Sequence, residues 1–301
     1  MMDMSIDAFG LHFKNPIMTC SGTFASGLEY SEFVDLNRLG AVVTKGVSHE
    51  PWSGNPTPRI CETASGMLNA VGLQNPGTEL FIKRDLEELK HYDTNIIVNV
   101  CGHSMEEYLS AVEDLNDTDA DLFEINISCP NVTKGGLSFG TDVQGVYEIT
   151  KEIKRISKKP IVMKLTPNVT DIKAIAKAAE EGGADGISLI NTITGMKIDV
   201  ERQTFALANK TGGLSGPAIH PVAVRMVYEC ASTVNIPIIG MGGCMNYKDA
   251  IEMMLAGASL VAIGTANFAN PQATIDVIDG IEDYMKRHEI SNLRDIVGAV
   301  R

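Results

Sequence analysis

Long apolar runs, paired cysteines and dense basic stretches are missing from this 301-residue sequence. No apolar run approaches the roughly 20 residues that span a bilayer, and the first residues, MMDMSIDAFG, lack the basic and then apolar layout of a signal peptide. These absences predict a soluble, cytoplasmic chain with no membrane partner. Hydrophobic residues still make up 44% of the sequence, which allows a sizeable core and excludes a disordered or fibrous chain.

Basic residues are also scarce, because 25 lysines and arginines stand against 38 acidic residues, for a net charge of −13. A surface of this sign repels phosphate backbones and anionic lipids, so nucleic acids and membrane surfaces are poor partners. A few lysines inside a pocket can still bind an anion.

The six cysteines lie at positions 20, 61, 101, 129, 230 and 244, and no two of them form a CxxC pair. Their spacing fits neither a zinc site, nor an iron–sulfur cluster, nor a disulfide framework, so any metal cluster must be carried by another chain. We expect most of them to be reduced, buried, small hydrophobic residues. The six histidines form no evident cluster, and the sequence has neither an HExxH motif nor a set of carboxylate ligands, which predicts no catalytic metal.

Short β-type runs alternate with amphipathic helical stretches along the whole chain. The eight predicted strands are 16–22, 41–46, 95–102, 122–130, 160–168, 186–192, 236–243 and 259–267. Helical patterns follow most of them, beginning for example at Thr78, Ser104 and Thr170; Glu107 completes a capping-box pattern with Ser104, and the glycines at 182–183 suit a helix stop. Eight βα units in series predict an α/β fold of the (β/α)₈ TIM-barrel type, and they fit a doubly wound open sheet less well.

Three connections are too long for simple turns, namely 47–77, 131–141 and 193–216. Because each follows a strand, we expect these long loops at the C-terminal face of the barrel, where enzymes of this fold build their sites. The first contains the only tryptophan, Trp52, and the second contains Gly135 and Gly136, which suit a mobile lid. The segment before Pro16 predicts an N-terminal β-hairpin that closes the bottom of the barrel.

Polar side chains recur near the C-terminal ends of five neighbouring strands. Side chains alternate between faces along a strand, so residues 124, 126 and 128 share the inward face while 125 and 127 face the helices. The residues at the barrel mouth are Lys45, Asn99, Asn126, Lys164 and Asn191. Any one of them could be merely solvated at a rim. All five together would cost roughly 1–3 kcal/mol each if left unpaired, which favours a site for a polar, anionic ligand.

Strands seven and eight end instead in glycine, at 240–243 (GMGG) and at Gly264-Thr265. Such turns let backbone N–H groups approach a ligand, and barrels commonly hold a phosphate there; alternatively, the glycines only form tight turns. Because a full GxGxxG is absent, a phosphate-bearing cofactor across the barrel mouth is favoured over a Rossmann dinucleotide site. Cys129, just after strand four, is either a base or nucleophile helped by two nearby lysines or a buried, inert thiol.

Several short motifs follow one another in a characteristic order: TKG at 44–46, NAVGLQNPG at 69–77, NISCPN at 126–131, KLTPN at 164–168, INT at 190–192, GLSGP at 213–217 and the two glycine turns. Together they resemble the dihydroorotate dehydrogenase family over essentially the whole chain. The resemblance implies a single FMN-binding TIM-barrel domain, 1–301, with one FMN per chain. It also implies that (S)-dihydroorotate is oxidised to orotate in pyrimidine (UMP) biosynthesis.

The resemblance further implies roles for matching positions. FMN would contact Ser21, Lys45, Gly46, Asn99, Asn126, Lys164, Ile190 and Gly216, and its phosphate would contact Gly242, Gly243, Gly264 and Thr265. Dihydroorotate would be held by Lys45, Asn69, Ala70, Val71, Gly72, Leu73, Asn126, Asn131, Asn191 and Thr192. Cys129 would remove the C5 proton as general base while C6 delivers hydride to the flavin, and Lys164 would stabilise the negative charge that results.

Cysteine rather than serine at position 129 resembles the soluble class 1 enzymes, and the segment 134–142 is most similar to class 1B. That class pairs this chain with an electron-transfer subunit carrying FAD and a [2Fe–2S] cluster and passes electrons to NAD⁺. It implies a homodimer of catalytic chains within a heterotetramer. The alternatives are a class 1A enzyme that uses fumarate without a partner, a Schiff-base aldolase-type barrel with Lys164 as nucleophile, and a barrel that only binds.

Overall fold

The computed structural model describes residues 2–127, 133–134 and 137–300. Its centre is a closed barrel of eight parallel strands, numbered here β1 Ile17–Thr19, β2 Ala41–Val43, β3 Asn95–Val100, β4 Leu122–Asn126, β5 Ile161–Lys164, β6 Gly186–Leu189, β7 Ile238–Met241 and β8 Leu260–Ile263. Each strand pairs with the next in chain order, and β8 closes on β1. The predicted (β/α)₈ barrel is confirmed, and the open sheet is wrong.

Helices surround the barrel. The α-helices are Thr78–Phe81, Glu87–Leu89, Met105–Leu115, Val143–Ile156, Ile172–Glu181, His220–Ala231, Tyr247–Leu255, Ala266–Ala269 and Ala273–Arg287, and a π-helical segment, Ile82–Leu86, joins the first two. Short 3₁₀ helices are Leu28–Tyr30, Leu36–Arg38, Pro217–Ile219 and Leu293–Ile296. Within the described ranges, no helix is both long enough and apolar enough to cross a bilayer.

The predicted helix boundaries agree with the observed caps, with one difference. The Ser104 hydroxyl accepts a hydrogen bond from the Glu107 N–H at 3.2 Å, as the capping box predicts. The returning bond is displaced by one residue, because the Glu107 carboxylate accepts from the N–H of His103 rather than from that of Ser104. Gly183, at φ +97°, follows the helix Ile172–Glu181 in the left-handed conformation that favours glycine.

The predicted N-terminal hairpin is present as the strands Ile6–Ala8 and Leu11–Phe13. Phe9 and Phe13 pack edge to face, with ring centroids 6.2 Å apart, and both rings are buried. The ring of Phe9 lies so close to Gly186, at the start of β6, that an added Cβ there would be 2.2 Å from it. The hairpin therefore covers the bottom of the barrel, the end opposite the candidate site.

The long connections 47–77 and 193–216 both contribute residues to the C-terminal mouth of the barrel, as predicted, but each also contains two strands that the sequence analysis did not predict. The connection 47–77 contains the strands Ile60–Thr63 and Gly66–Asn69, and the connection 193–216 contains Ile193–Met196 and Thr211–Ser215. These four strands form one antiparallel sheet, in which Gly66–Asn69 pairs with Thr211–Ser215. The paired strands lie more than 140 residues apart in the sequence. The hydrophobic pattern of either segment alone therefore does not reveal that the two form a sheet.

Smaller strands and the third connection complete the chain. Ile198–Asp199 pairs with Thr204–Phe205, and Thr133–Lys134 pairs with Leu137–Ser138. The glycines predicted to suit a lid, 135 and 136, lie outside the described residues. The predicted strands were also too long at their C-terminal ends: β2 ends at Val43 and β6 at Leu189, since the chain leaves the ladder there and turns to line the barrel mouth.

Candidate active site

A cavity of about 1280 Å³ opens at the C-terminal mouth of the barrel. The strand ends form its floor, the antiparallel sheet of residues 60–69 and 193–215 contributes one wall, and the glycine turns after β7 and β8 contribute another. Small-molecule sites typically measure roughly 300–1,000 Å³. The cavity therefore has room for a cofactor together with a small substrate.

Every predicted site residue that the structure describes lines this cavity. They are Ser21, Lys45, Gly46, Asn69, Ala70, Val71, Gly72, Leu73, Asn99, Asn126, Lys164, Ile190, Asn191, Thr192, Gly216, Gly242, Gly243, Gly264 and Thr265. Cys129 and Asn131 lie outside the described residues. The shared location is observed, while the contact that each residue makes with a ligand stays a prediction.

Glu124, in the middle of β4, accepts hydrogen bonds from three neighbouring strands. Its Oε2 accepts from Asn99 Nδ2 of β3 at 2.6 Å and from Lys164 Nζ of β5 at 3.2 Å, and its Oε1 accepts from the Ser188 hydroxyl of β6 at 2.8 Å. The carboxylate is buried, with 1% of the side chain exposed. Alternation along β4 placed Glu124 on the inward face, but sequence reasoning assigned no function to it or to Ser188.

Two lysines supply positive charge to the cavity. Lys164 is buried and also donates to the Ser21 hydroxyl at 2.9 Å, which fixes its ammonium group at the cavity floor. Burial lowers the pKa of Lys45; the Cys101 thiol opposes this shift, and repulsion from Lys164 adds to it. A bound anion would favour the charged form of Lys45, so the pair suits an anionic ligand.

Asn99 presents an unsatisfied acceptor. Among the described residues, its Oδ1 is the only buried side-chain polar atom without a hydrogen-bond partner. A Cβ added at Gly46 would lie 2.9 Å from this oxygen, so glycine at that position leaves space beside it. Because an unpaired buried acceptor costs about 1–3 kcal/mol, a donor on a bound ligand would stabilise the complex.

The end of β4 is held from two sides. The Tyr108 hydroxyl, fully buried in the helix Met105–Leu115, donates to the Asn126 backbone oxygen at 2.6 Å. The Asn191 amide donates to Asn126 Oδ1 at 3.3 Å. These bonds fix the orientation of the strand end three residues before Cys129 in the sequence.

Glycine turns contribute to the side of the mouth formed by β7 and β8. Gly242 and Gly243 have φ of +129° and +68°, and a Cβ at Gly243 would lie 2.7 Å from the backbone oxygen of Gly216. His220, which sequence reasoning did not identify, places Nδ1 2.9 Å from the Gly242 oxygen and Nε2 3.0 Å from Glu252 Oε2. The short helix Ala266–Ala269 follows β8 here, an arrangement in which barrels commonly hold a phosphate.

The described thiols differ from the sequence expectation in part. Cys101, Cys230 and Cys244 are buried, as expected for most of the cysteines, whereas Cys20 and Cys61 are only partly buried and line the cavity. Desolvation raises the pKa of Cys20 and of Cys230 to about 12 and that of Cys244 well above its usual value. These three thiols are therefore poor sources of thiolate near neutral pH.

The rim of the cavity carries an aromatic stack that the sequence did not indicate. Trp52 lies on His103, with ring centroids 3.7 Å apart and planes at 13°, and both residues line the cavity. Asn69, which also lines the cavity, ends a strand of the antiparallel sheet, and its side-chain amide donates to the Gly213 backbone oxygen at 3.4 Å. Only tertiary packing brings residues 52 and 103 together, since they belong to different βα connections.

Comparison with known proteins agrees with the motifs. A family model described as dihydroorotate dehydrogenase matches residues 3–285. The chain is 59% identical to "Dihydroorotate dehydrogenase B (NAD(+)), catalytic subunit" of Lachnoclostridium phytofermentans over 100% of both chains. It is 59% identical to the protein of that name from Alkaliphilus metalliredigens over 99% of both chains, and 50% identical to that of Bacteroides thetaiotaomicron over 100% of this chain and 99% of the relative. The chain therefore belongs to the dihydroorotate dehydrogenase family.

Proposed function

We propose that this chain is the catalytic subunit of an NAD⁺-linked dihydroorotate dehydrogenase, which oxidises (S)-dihydroorotate to orotate in UMP biosynthesis. The observation that carries the proposal is that one cavity is lined both by the lysines and asparagines at the ends of β2 to β6 and by the glycine turns that follow β7 and β8. Full-length relatives named as NAD⁺-dependent catalytic subunits support it and favour NAD⁺ over fumarate as acceptor.

Family membership implies FMN, and the described residues fit this cofactor. The unsatisfied Asn99 Oδ1 suits an N–H or hydroxyl donor of the flavin, and Lys45 and Lys164 suit its electron-rich pyrimidine end. The turns at 242–243 and 264–265 line the cavity, and the backbone N–H groups of such glycine turns can bind a phosphate. The remaining contacts would come from Ser21, Gly46, Asn126, Ile190 and Gly216, in a single domain over 1–301.

The residues of this chain divide the reaction between them. When bound, FMN supplies the acceptor for the hydride from C6 of dihydroorotate. Cys129 removes the C5 proton, and Lys164 offsets the negative charge that develops at the cofactor. The substrate is held and oriented by a set of residues that includes Lys45 and several amides, namely Lys45, Asn69, Ala70, Val71, Gly72, Leu73, Asn126, Asn131, Asn191 and Thr192.

The name "catalytic subunit" borne by the relatives implies a partner subunit. We propose that this partner carries FAD and a [2Fe–2S] cluster, because the sequence offers neither cysteine spacing for a cluster nor a Rossmann fingerprint for NAD⁺. A homodimer of catalytic chains within a heterotetramer completes the proposal. The cytoplasmic location stays a prediction.

The deciding experiment is an anaerobic absorption spectrum of the purified chain before and after addition of L-dihydroorotate. We expect a flavin spectrum that bleaches. A flavin that stays oxidised would point to another substrate. A colourless protein that cannot be reconstituted with FMN would contradict the proposal, and borohydride trapping of a substrate on Lys164 would then support the aldolase-type alternative. Turnover with fumarate by the chain alone would indicate a class 1A enzyme.

A further inference from the structure

Glu124 is a buried carboxylate that the proposed reaction does not use. It lies below the cavity floor, outside the residues that line it, and accepts three hydrogen bonds from Asn99, Lys164 and Ser188. Two of these donors belong to residues that do line the cavity. The question is therefore what this carboxylate does to Asn99 and Lys164, and through them to a bound cofactor.

The first consequence concerns the orientation of the Asn99 amide. An ionised carboxylate can only accept hydrogen bonds, so the Nδ2 end of Asn99 must face Glu124 Oε2, 2.6 Å away. The Oδ1 end then faces the other way, beside Gly46, where none of the described residues donates a hydrogen bond to it. Glu124 thus determines that Asn99 offers an acceptor, and not a donor, to the cavity.

The second consequence concerns charge. Lys164 and Lys45 both line the cavity, and the Glu124 carboxylate lies 3.2 Å from Lys164 Nζ, so its negative charge faces Lys164 from the barrel interior. Because the carboxylate is screened little by solvent, its field extends into the cavity floor. A negative charge at that position opposes the arrival of a hydride on any acceptor bound above Lys164.

We propose that Glu124 is a positioning residue that holds Asn99 and Lys164 against the flavin and lowers the reduction potential of bound FMN. The inference rests on the proposed function, since it requires FMN in this cavity. A lower potential makes the bound cofactor a better electron donor, which suits a chain that passes electrons onward toward NAD⁺.

The test compares three variants of the FMN-loaded chain by equilibrium redox titration against a reference dye. Glu124→Gln keeps the shape of the side chain and removes the charge, so we expect a more positive potential. We expect the affinity for reduced FMN to rise about tenfold relative to that for oxidised FMN. For a two-electron couple, this corresponds to a shift of about 30 mV in reduction potential. Ser188→Ala removes a neutral donor to the same carboxylate and should leave the potential unchanged.

Glu124→Asp separates charge from position. It retains the charge on a shorter side chain that cannot reach all three donors, so the potential should stay near that of the wild type. The dissociation constant of FMN, measured by quenching of flavin fluorescence with the apoprotein, should rise about tenfold because the Asn99 amide is released. If Glu124 only held the strands together, both variants would have a lower melting temperature. The reduction potential and the FMN dissociation constant would then not change separately in Glu124→Gln and Glu124→Asp.

Several outcomes would overturn the proposal. These are an unchanged or more negative potential in Glu124→Gln, and an equal positive shift in Glu124→Gln and Glu124→Asp. Should Glu124→Gln not fold by circular dichroism, a Glu124→Asp protein that binds FMN as tightly as the wild type would overturn it as well. A wild-type chain that holds no FMN, or holds FMN that dihydroorotate does not bleach, would instead contradict the proposed function.

Discussion

The two sides of the barrel mouth are built on different principles. On β3 to β6, side chains build the cavity floor: Asn99 and Lys164 line the cavity, and together with Glu124 and Ser188, which do not, they form one hydrogen-bonded network across four strands. On the side of β7 and β8, the chain offers backbone at Gly242, Gly243 and Gly264. On the β3–β6 side, a single substitution can change the charge of the site. The β7–β8 side depends on close approach of the backbone, so any added side-chain atom can disturb it.

The difference has a chemical reason. A reaction that moves a proton and a hydride needs ionisable groups at defined positions, and side chains supply them. A phosphate needs several N–H groups that converge on one point, and glycine turns supply those. Mutations on the two sides should therefore have different effects. On the β3–β6 side they should impair the reaction or the balance of charge, and on the β7–β8 side they should weaken cofactor binding.

The largest expected effect is that of Cys129→Ala, which tests whether the chemistry resides on the side of β4. The rate of flavin reduction by dihydroorotate should fall by about 10²–10⁴-fold, because the C5 proton loses its base, while the FMN content stays unchanged. Anaerobic stopped-flow absorbance measures the rate. Cys230→Ala, which removes a buried thiol of raised pKa in an outer helix, is the control. A wild-type rate in the loaded Cys129→Ala protein would remove Cys129 from the mechanism.

The second effect is on stability and concerns the buried pair on the side-chain side. Lys164→Met leaves Glu124 buried without its counter-charge, so the free energy of unfolding of the FMN-free chain should fall by about 3–5 kcal/mol. Lys154→Met breaks a half-exposed pair with Asp185, 2.6 Å apart, and should cost at most about 1 kcal/mol. Urea denaturation followed by circular dichroism measures both. Equal losses would mean that the buried pair contributes no more than a surface pair.

The third effect belongs to the backbone side. Gly243→Ala forces a Cβ to within 2.7 Å of the Gly216 oxygen at a φ of +68°, so the turn must move and FMN binding should weaken about tenfold or more. Gly183→Ala is the matched control, because its φ of +97° also disfavours a side chain but its nearest neighbour is Lys154, 3.4 Å away and far from the mouth. Fluorescence titration of the apoprotein with FMN distinguishes them. Equal affinities in both variants would contradict a phosphate site at this turn.

The smallest effect is a pH dependence of orotate binding. Burial lowers the pKa of Lys45 below 10.5, so its positive charge is lost at a lower pH than that of an ordinary lysine, and orotate affinity should fall about fivefold as the pH rises from about 7 to about 10. Lys45→Arg keeps its charge over this range and should show a flatter profile. The flavin absorbance change on orotate binding gives the dissociation constants. A profile that is the same in both proteins would exclude Lys45 as the source.

Local patterns in the sequence were sufficient for the barrel and for the lysines, asparagines and glycine turns at its mouth, whereas Ser21 and the segment 69–73 were identified by resemblance to the family alone. Alternation along β4 and β5 placed Asn126 and Lys164 inward, and the structure has both at the same register level, paired across the two strands. Glu124 was placed on the correct face by the same alternation. Its function was missed because its three donors come from β3, β5 and β6, and sequence spacing gives no information on which strands lie side by side at which height.

The sequence by itself determined the eight βα units, the hairpin at residues 6–13, the lysines and asparagines at the strand ends and the two glycine turns. Each of these depends on a short-range rule, namely side-chain alternation, helix capping or turn chemistry. Tertiary structure alone decided the sheet that joins Gly66–Asn69 to Thr211–Ser215, the stack of Trp52 on His103 and the network around Glu124. Those contacts join segments far apart in the chain, and only closure of the barrel brings their partners within hydrogen-bonding distance.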